Sequence, residues 1–207
     1  FASLIGCHGS LAEAVSLCRS AVDYPGSGLP ILFAGESGVG KSHLASLVYQ
    51  YALERGVIHS TAPFVELNCA DYANNPELLS ATLFGYIRGA FTGADREKRG
   101  VFDEADGGFL FLDEVHRLSA ENQEKLFMFM DKGYFYRLGD SRTCRPASIR
   151  FIFATTENIE TVLLTTFRRR IPIRVTLPNY LSRPLPERIA QISHFFQQEA
   201  VSLQRDI

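Results

Sequence analysis

Short unbroken apolar runs alternate along the chain with longer stretches whose apolar residues recur every three or four positions. The runs are Ile31-Leu32-Phe33-Ala34, Pro63 to Leu67, Phe109-Leu110-Phe111-Leu112, Ile149 to Ala154 and Ile171 to Val175. Their length is that of strands, and Phe109–Leu112 is apolar on successive residues, as a strand buried on both faces must be. Helical spacing appears at Leu11, Ala14, Val15 and Leu17–Cys18, with Ser10 placed to cap. It appears again from Lys41 to about Arg55, with Leu44, Leu47, Val48, Tyr51 and Ala52 on one face. A short helix is expected from Pro76 to Phe84, proline being permitted in a first turn. Another follows Ser119 as cap and runs to about Lys132, with Leu126, Phe127 and Met130 inward. A helical turn near Val101–Ala105, a hairpin strand over 134–139, a short helix carrying Phe167–Arg170 and a last helix from about Pro186 complete the pattern. Pro25–Gly28, Pro178 and Pro184 mark loops and a boundary.

Strands alternating with helices predict an α/β fold: a mostly parallel five-stranded sheet with helices on both faces. Ligands of such sheets bind beyond the carboxyl ends of the strands. One stretch fits neither period. Residues 85–99, Gly85-Tyr86-Ile87-Arg88-Gly89-Ala90-Phe91-Thr92-Gly93-Ala94 and the charged run Asp95 to Arg99, carry three glycines and are expected to be a loop.

The first strand leads into Gly35-Glu36-Ser37-Gly38-Val39-Gly40-Lys41-Ser42, followed at once by a helix. That is the setting of a phosphate-binding P-loop. Glycines remove the Cβ atoms that would keep a phosphate from the main chain, and the freed N–H groups and helix dipole receive negative charge. Lys41 adds a point charge for the β- and γ-phosphates, and Ser42 a hydroxyl for Mg²⁺. A nucleoside triphosphate with Mg²⁺ is therefore the expected ligand.

Phosphoryl transfer also needs a metal-holding acid and a positioned nucleophile. Asp113 and Glu114 follow the third apolar run; Asp113 can hold Mg²⁺, directly or through water, and Glu114 can act as general base toward the attacking water. Asn68 and Thr156 also follow strand ends, so all four can share one rim with the P-loop; Thr156 could sense the γ-phosphate. Arg168-Arg169-Arg170 is a basic run that alone reads as a solvated face or a helix C-terminal charge. In a ring ATPase it could reach a neighbour's nucleotide as arginine fingers.

The 207 residues suffice for one sizeable core, and 46% hydrophobic content favours folding over disorder. A formal net charge of −2 argues against electrostatic nucleic-acid binding as the main task. No apolar run reaches the ~18 residues needed to span a bilayer, so no membrane association is expected. Cys7, Cys18, Cys69 and Cys144 are scattered, without CxxC spacing, and the histidines show no metal-ligand spacing. Scattered thiols and the lack of a signal peptide lead us to expect a cytoplasmic protein. Opening on Phe1, the chain reads as a segment of something longer.

Three motifs in order, the P-loop, Gly89-Ala90-Phe91-Thr92-Gly93-Ala94 and Phe109–Glu114, resemble the central AAA+ domain of bacterial enhancer-binding activators of sigma-54 RNA polymerase. The resemblance covers about residues 3–200 and includes Leu83-Phe84-Gly85 and Gly100–Ala105. It implies a P-loop NTPase core over 1–178 and the start of a truncated helical lid over 179–207. It further implies ATP hydrolysis in a hexameric ring, contact with sigma-54 through Gly89–Ala94 with Phe91 at the tip, and DNA binding through a domain outside this chain. Asn68 falls where that family holds the catalytic glutamate in a nucleotide-dependent way. Tyr86-Ile87 replaces the family's usual His-Glu, Thr156 stands where many members have asparagine, and the arginine segment is compact; Arg168 and Arg169 are the favoured fingers. The compact segment and Asp131-Lys132-Gly133 resemble the LevR-type subgroup, whose members carry phosphotransferase-system regulatory domains and control sugar-utilisation operons. Two other readings stay open on the residues: a nucleotide-gated binding module without turnover, and a different AAA+ remodeller.

Overall fold

The computed structural model describes residues 1–205. Five strands, β1 (Ile31–Ala34), β2 (Phe64–Asn68), β3 (Phe109–Asp113), β6 (Arg150–Thr155) and β7 (Ile173–Thr176), form one sheet in the order β2-β3-β6-β1-β7. Every pairing is parallel. All strands therefore present their carboxyl ends to the same rim, as expected.

Alternation along each strand sorts the side chains into two cores. Leu32, Leu110, Leu112, Phe151 and Phe153 face one side, covered by α3 (Pro76–Phe84), α4 (Val101–Glu104), α5 (Ala120–Lys132) and α7 (Thr165–Arg168). Ile31, Phe33, Phe109, Phe111, Ile152 and Ala154 face the other, covered by α1 (Ala12–Asp23) and α2 (Lys41–Glu54). Although α4 is a single turn, its Phe102 is wholly buried, with its ring 4.9 Å from Phe84, 4.8 Å from Phe129 and 5.2 Å from Phe135. This aromatic cluster ties the helices on one face to the small hairpin β4 (Tyr134–Phe135) and β5 (Arg145–Pro146).

Two expectations are corrected, and one element is added. Ser10 does not cap α1: its N–H and hydroxyl both donate to Glu187 of α8 (Leu185–Arg205), a partner 177 positions away. Of the inward residues of α5, Leu126 is buried, but Phe129 takes the deep position and Phe127 lies at the margin with the Arg170 guanidinium 4.9 Å from its ring centre. A turn, α6 (Ile159–Val162), was not signalled by any apolar period; Asn158 caps it by accepting from Glu160 N–H. Ser119 caps α5 as expected, accepting from the Asn122 N–H at 3.2 Å. Among the described residues no helix is long and apolar enough to cross a membrane.

Candidate active site

The P-loop leaves β1 and closes over the first turn of α2. Gly40 stands at the helix N-cap with φ 101°, a left-handed conformation that carries no steric cost only without a Cβ. Lys41 is buried, and its ammonium donates to the carbonyls of Gly35 at 2.8 Å and Glu36 at 2.9 Å. Val39 is buried beneath the loop, whereas Glu36, Ser37 and Gly38 are exposed. A cleft of about 260 Å³ runs alongside, lined among others by Leu4, Ile5, Gly38, Leu177, Arg183 and Gln191. The Gln191 Oε1 atom there is buried without a partner among the described residues. Arg183 crosses from the segment after β7 and donates to the Val39 carbonyl at 2.7 Å.

On the same rim, two strands away, β3 ends in Asp113 and Glu114. Glu114 is the one non-glycine residue with positive φ among the described residues, at φ 49° and ψ 45°. Such a conformation costs roughly 1–2 kcal/mol, offset here by specific contacts. The Glu114 N–H donates to Asp113 Oδ1 at 2.8 Å, and the Thr156 hydroxyl donates to Glu114 Oε2 at 3.0 Å. His116 Nδ1 lies 3.2 Å from the same Oε2. Thr156 and Glu114, both predicted, are thus brought together. Asn68 is paired with Asp113 in the β2–β3 register, but its side chain accepts from the Ala70 N–H at 2.9 Å and has no bond to Glu114. Burial first, then the negative charges of Asp113, Glu114 and Asp71, push the Cys69 thiol up to about 12. It is therefore inert as a nucleophile or soft ligand.

Ser42 and Asp113 offer a hydroxyl and a carboxylate, hard oxygen donors that suit Mg²⁺ completed by water and phosphate. Ser42 Oγ makes no hydrogen bond among the described residues, and Asp113 spends only Oδ1 on Glu114. The donor set fits the ion. Apart from this pair, no group of three or more His, Cys, Asp or Glu placed to hold a metal occurs among the described residues.

The 85–99 loop stands on a braced base. Tyr86 and Lys98 exchange both main-chain bonds at 2.9 Å, and Ile87 N–H and Gly85 O bond the main chain of Leu138. At Gly100 a Cβ would run into the main chain of Gly85 and Leu83, so the two ends of the loop meet only because neither carries a side chain. Arg137, nearly inaccessible, donates from Nη2 to both carboxylate oxygens of Asp103 at 3.0 and 3.1 Å, and its Nη1 lies 3.5 Å from Glu97. At the tip, Gly89 N–H to Ala94 O at 2.9 Å closes a tight turn. Phe91 is 46% exposed and rests edge-on against Tyr86, ring centres 4.9 Å apart. Between tip, α3 and α5 lies a cleft of about 540 Å³.

Residues 4–178 match the family model described as the sigma-54 interaction domain. The chain belongs to that family. It is 45% identical to the transcriptional regulatory protein LevR of Bacillus subtilis over 99% of its length, and 49% identical to the transcriptional regulatory protein DagR of Salmonella typhimurium over 100%. It spans 22% of the length of either relative. Its fold is that of NtrX from Brucella abortus, crystallised in complex with ATP: TM-score 0.75 at 23% identity, covering 96% of this chain and 41% of NtrX. The architecture is that of an AAA+ P-loop NTPase.

Within this sigma-54 interaction domain the three arginines have separate surroundings. Arg168 pairs with Glu160 and donates to Thr165 Oγ1 at 3.0 Å. Arg170 forks onto Asp131, its Nη2 at 2.8 Å from Oδ2. Arg169 is exposed and has no side-chain partner among the described residues. Two site residues went unmarked in the sequence, His116 and Arg183. A lone histidine two residues past the acidic pair and an arginine beyond the last strand carry no spacing signal; only the folded contacts single them out.

Proposed function

We propose that the chain binds ATP with Mg²⁺ across the rim, hydrolyses it, and uses the energy to work on sigma-54 RNA polymerase through the 85–99 loop. Support comes first from one observation: a strained glutamate, Glu114, held by Thr156 at a strand end beside Asp113 and across the rim from the P-loop. A merely solvated acidic strand end has no reason to keep a left-handed backbone. The triphosphate lies on the P-loop amides with Lys41 turned to it, and the base enters the cleft beside Arg183, where Gln191 Oε1 can accept from an exocyclic amine. Ser42 and Asp113 would hold Mg²⁺, which would supply charge neutralisation at the phosphates. Glu114 takes the proton of the attacking water. Residues 1–178 serve as the nucleotide-binding core and 179–207 as the start of a lid.

Subunits act in a ring, in this reading, with Arg169 reaching the neighbour's nucleotide, since Arg168 and Arg170 are engaged within their own subunit. Phe91 meets sigma-54. Binding to DNA belongs to a further part of the protein, and the kinship to LevR and DagR supports a role in transcription control. The test is Glu114→Ala in the ring-forming protein: ATP binding persists while turnover falls at least ~10²-fold, the scale of a general base. Mixed rings of Glu114→Ala and Arg169→Ala subunits regain part of the activity, because some interfaces then hold an intact base and an intact arginine. Full-rate turnover by Glu114→Ala would remove the catalytic assignment and leave a nucleotide-gated binding module.

A further inference from the structure

Glu114 has two side chains at one carboxylate oxygen, neither of which the sequence marked for that role. The Thr156 hydroxyl donates to Oε2 at 3.0 Å, and His116 Nδ1 approaches the same oxygen at 3.2 Å. His116 sits in the single 3-10 turn Val115–Arg117 that Glu114 itself opens, and its side chain is 9% exposed. The hydroxyl oxygen of Thr155 lies 3.1 Å from the same Nδ1, so a proton on that nitrogen faces two acceptors, Thr155 Oγ1 and Glu114 Oε2. Thr155 is wholly buried at the end of β6, and its oxygen also accepts from the Glu157 N–H at 3.1 Å. His116 Nδ1 therefore sits between the end of the sheet's central strand, at Thr155, and the carboxylate.

We propose that His116 is a positioning residue for Glu114; this rests on the ATPase reading above. A carboxylate can only accept, so the contact to Oε2 is favourable when Nδ1 carries the proton. With the Thr156 hydroxyl donating to Oε2 and His116 Nδ1 3.2 Å from it, that oxygen is occupied and Oε1 is left to receive the water's proton. A glutamate side chain has three rotatable bonds, and here its backbone is strained as well. Fixing one carboxylate oxygen removes freedom that catalysis would otherwise have to restrict at each turnover. His116 touches neither nucleotide nor water in this scheme and acts through Glu114 alone.

Asparagine carries a nitrogen the same number of bonds from Cβ as histidine Nδ1, and alanine carries none. In the ring-forming protein, His116→Ala lowers kcat roughly tenfold or more, the scale of a misplaced catalytic group. KM for ATP and the affinity for a fluorescent ADP analogue stay within about twofold, and His116→Asn recovers most of kcat. In the 207-residue chain without nucleotide, whose described residues hold the five-stranded sheet and a core on each of its faces, urea unfolding midpoints of His116→Ala, Glu114→Gln and the double variant are non-additive. Wild-type kcat in His116→Ala, equal damage in His116→Asn and His116→Ala, or additive unfolding midpoints each overturn the proposal while the ATPase reading stands. Absence of turnover in the wild-type ring overturns the ATPase reading and the catalytic role together, and the unfolding cycle still reads whether His116 and Glu114 are coupled.

Discussion

Arg183 donates from Nη2 to the main-chain oxygen of Val39 at 2.7 Å, so the segment after the last strand is bonded directly to the P-loop. Arg183 is 6% exposed, and burial holds its guanidinium below the usual arginine range despite the nearby Glu187 charge. A hydrogen bond from a charged group contributes about 1.5–3 kcal/mol. Arg183→Ala is therefore expected to lower unfolding free energy by about 2 kcal/mol in urea titration. It also weakens nucleotide binding, because Val39 O is no longer held. Unchanged stability and unchanged nucleotide affinity together would show the tie to be incidental.

A second tie joins α8, which follows that segment, to the start of the chain. The Ser10 hydroxyl, then the Ser10 N–H and the Arg183 charge, hold the Glu187 carboxyl below its ordinary value of 4.5, partial burial opposing them. A depressed folded value means the stabilisation is present above pH 4.5 and is lost as pH falls below it. The urea midpoint is expected to drop between pH 6 and pH 3, and by a smaller amount in Ser10→Ala. Equal acid sensitivity of the two proteins would assign the loss to other carboxylates.

At the loop base, Arg137 and Asp103 form an ion pair with side chains 3% and 10% exposed. Removing one partner of a buried pair strands the other's charge, at about 3–5 kcal/mol. Arg137→Ala is expected to destabilise the chain on that scale, and Arg137→Met paired with Asp103→Leu to recover much of it. Denaturant unfolding of the three proteins decides. Asp103 also accepts from Gly100 N–H at 3.1 Å, so the loss should loosen the loop's second stalk as well.

Phe91 presents an unburied face and contributes little to the core. Phe91→Ala is expected to leave the unfolding midpoint and ATP turnover near wild type while capture of sigma-54 is lost. Retained capture would move the contact elsewhere on the loop.

The five strands, their parallel arrangement and the shared rim were legible because each rests on local composition: apolar runs, glycine punctuation and strand-end polar residues. The P-loop was legible for the same reason. Contacts that join distant positions were not. Ser10 satisfied every local rule for a cap, yet a carboxylate from α8 outcompeted the α1 amides for its hydroxyl. Phe127 and Phe129 have equal local claim to the core; the position of Phe102 decides between them. Asn68 caps its own turn, while Thr156 and His116, which no strand-end pattern marks for the task, lie against the Glu114 carboxylate. Among the three arginines, the separation depended on where Glu160 and Asp131 fall, which no spacing within the run reveals.

Lys41 donates its ammonium to the carbonyls of Gly35 and Glu36. The lysine thus helps to hold the shape of its own cradle, keeping two main-chain oxygens from being left bare. An alanine put there to silence the site would alter the resting fold too. Its effects on folding and on ligand capture would have to be separated before either could be credited to the missing charge.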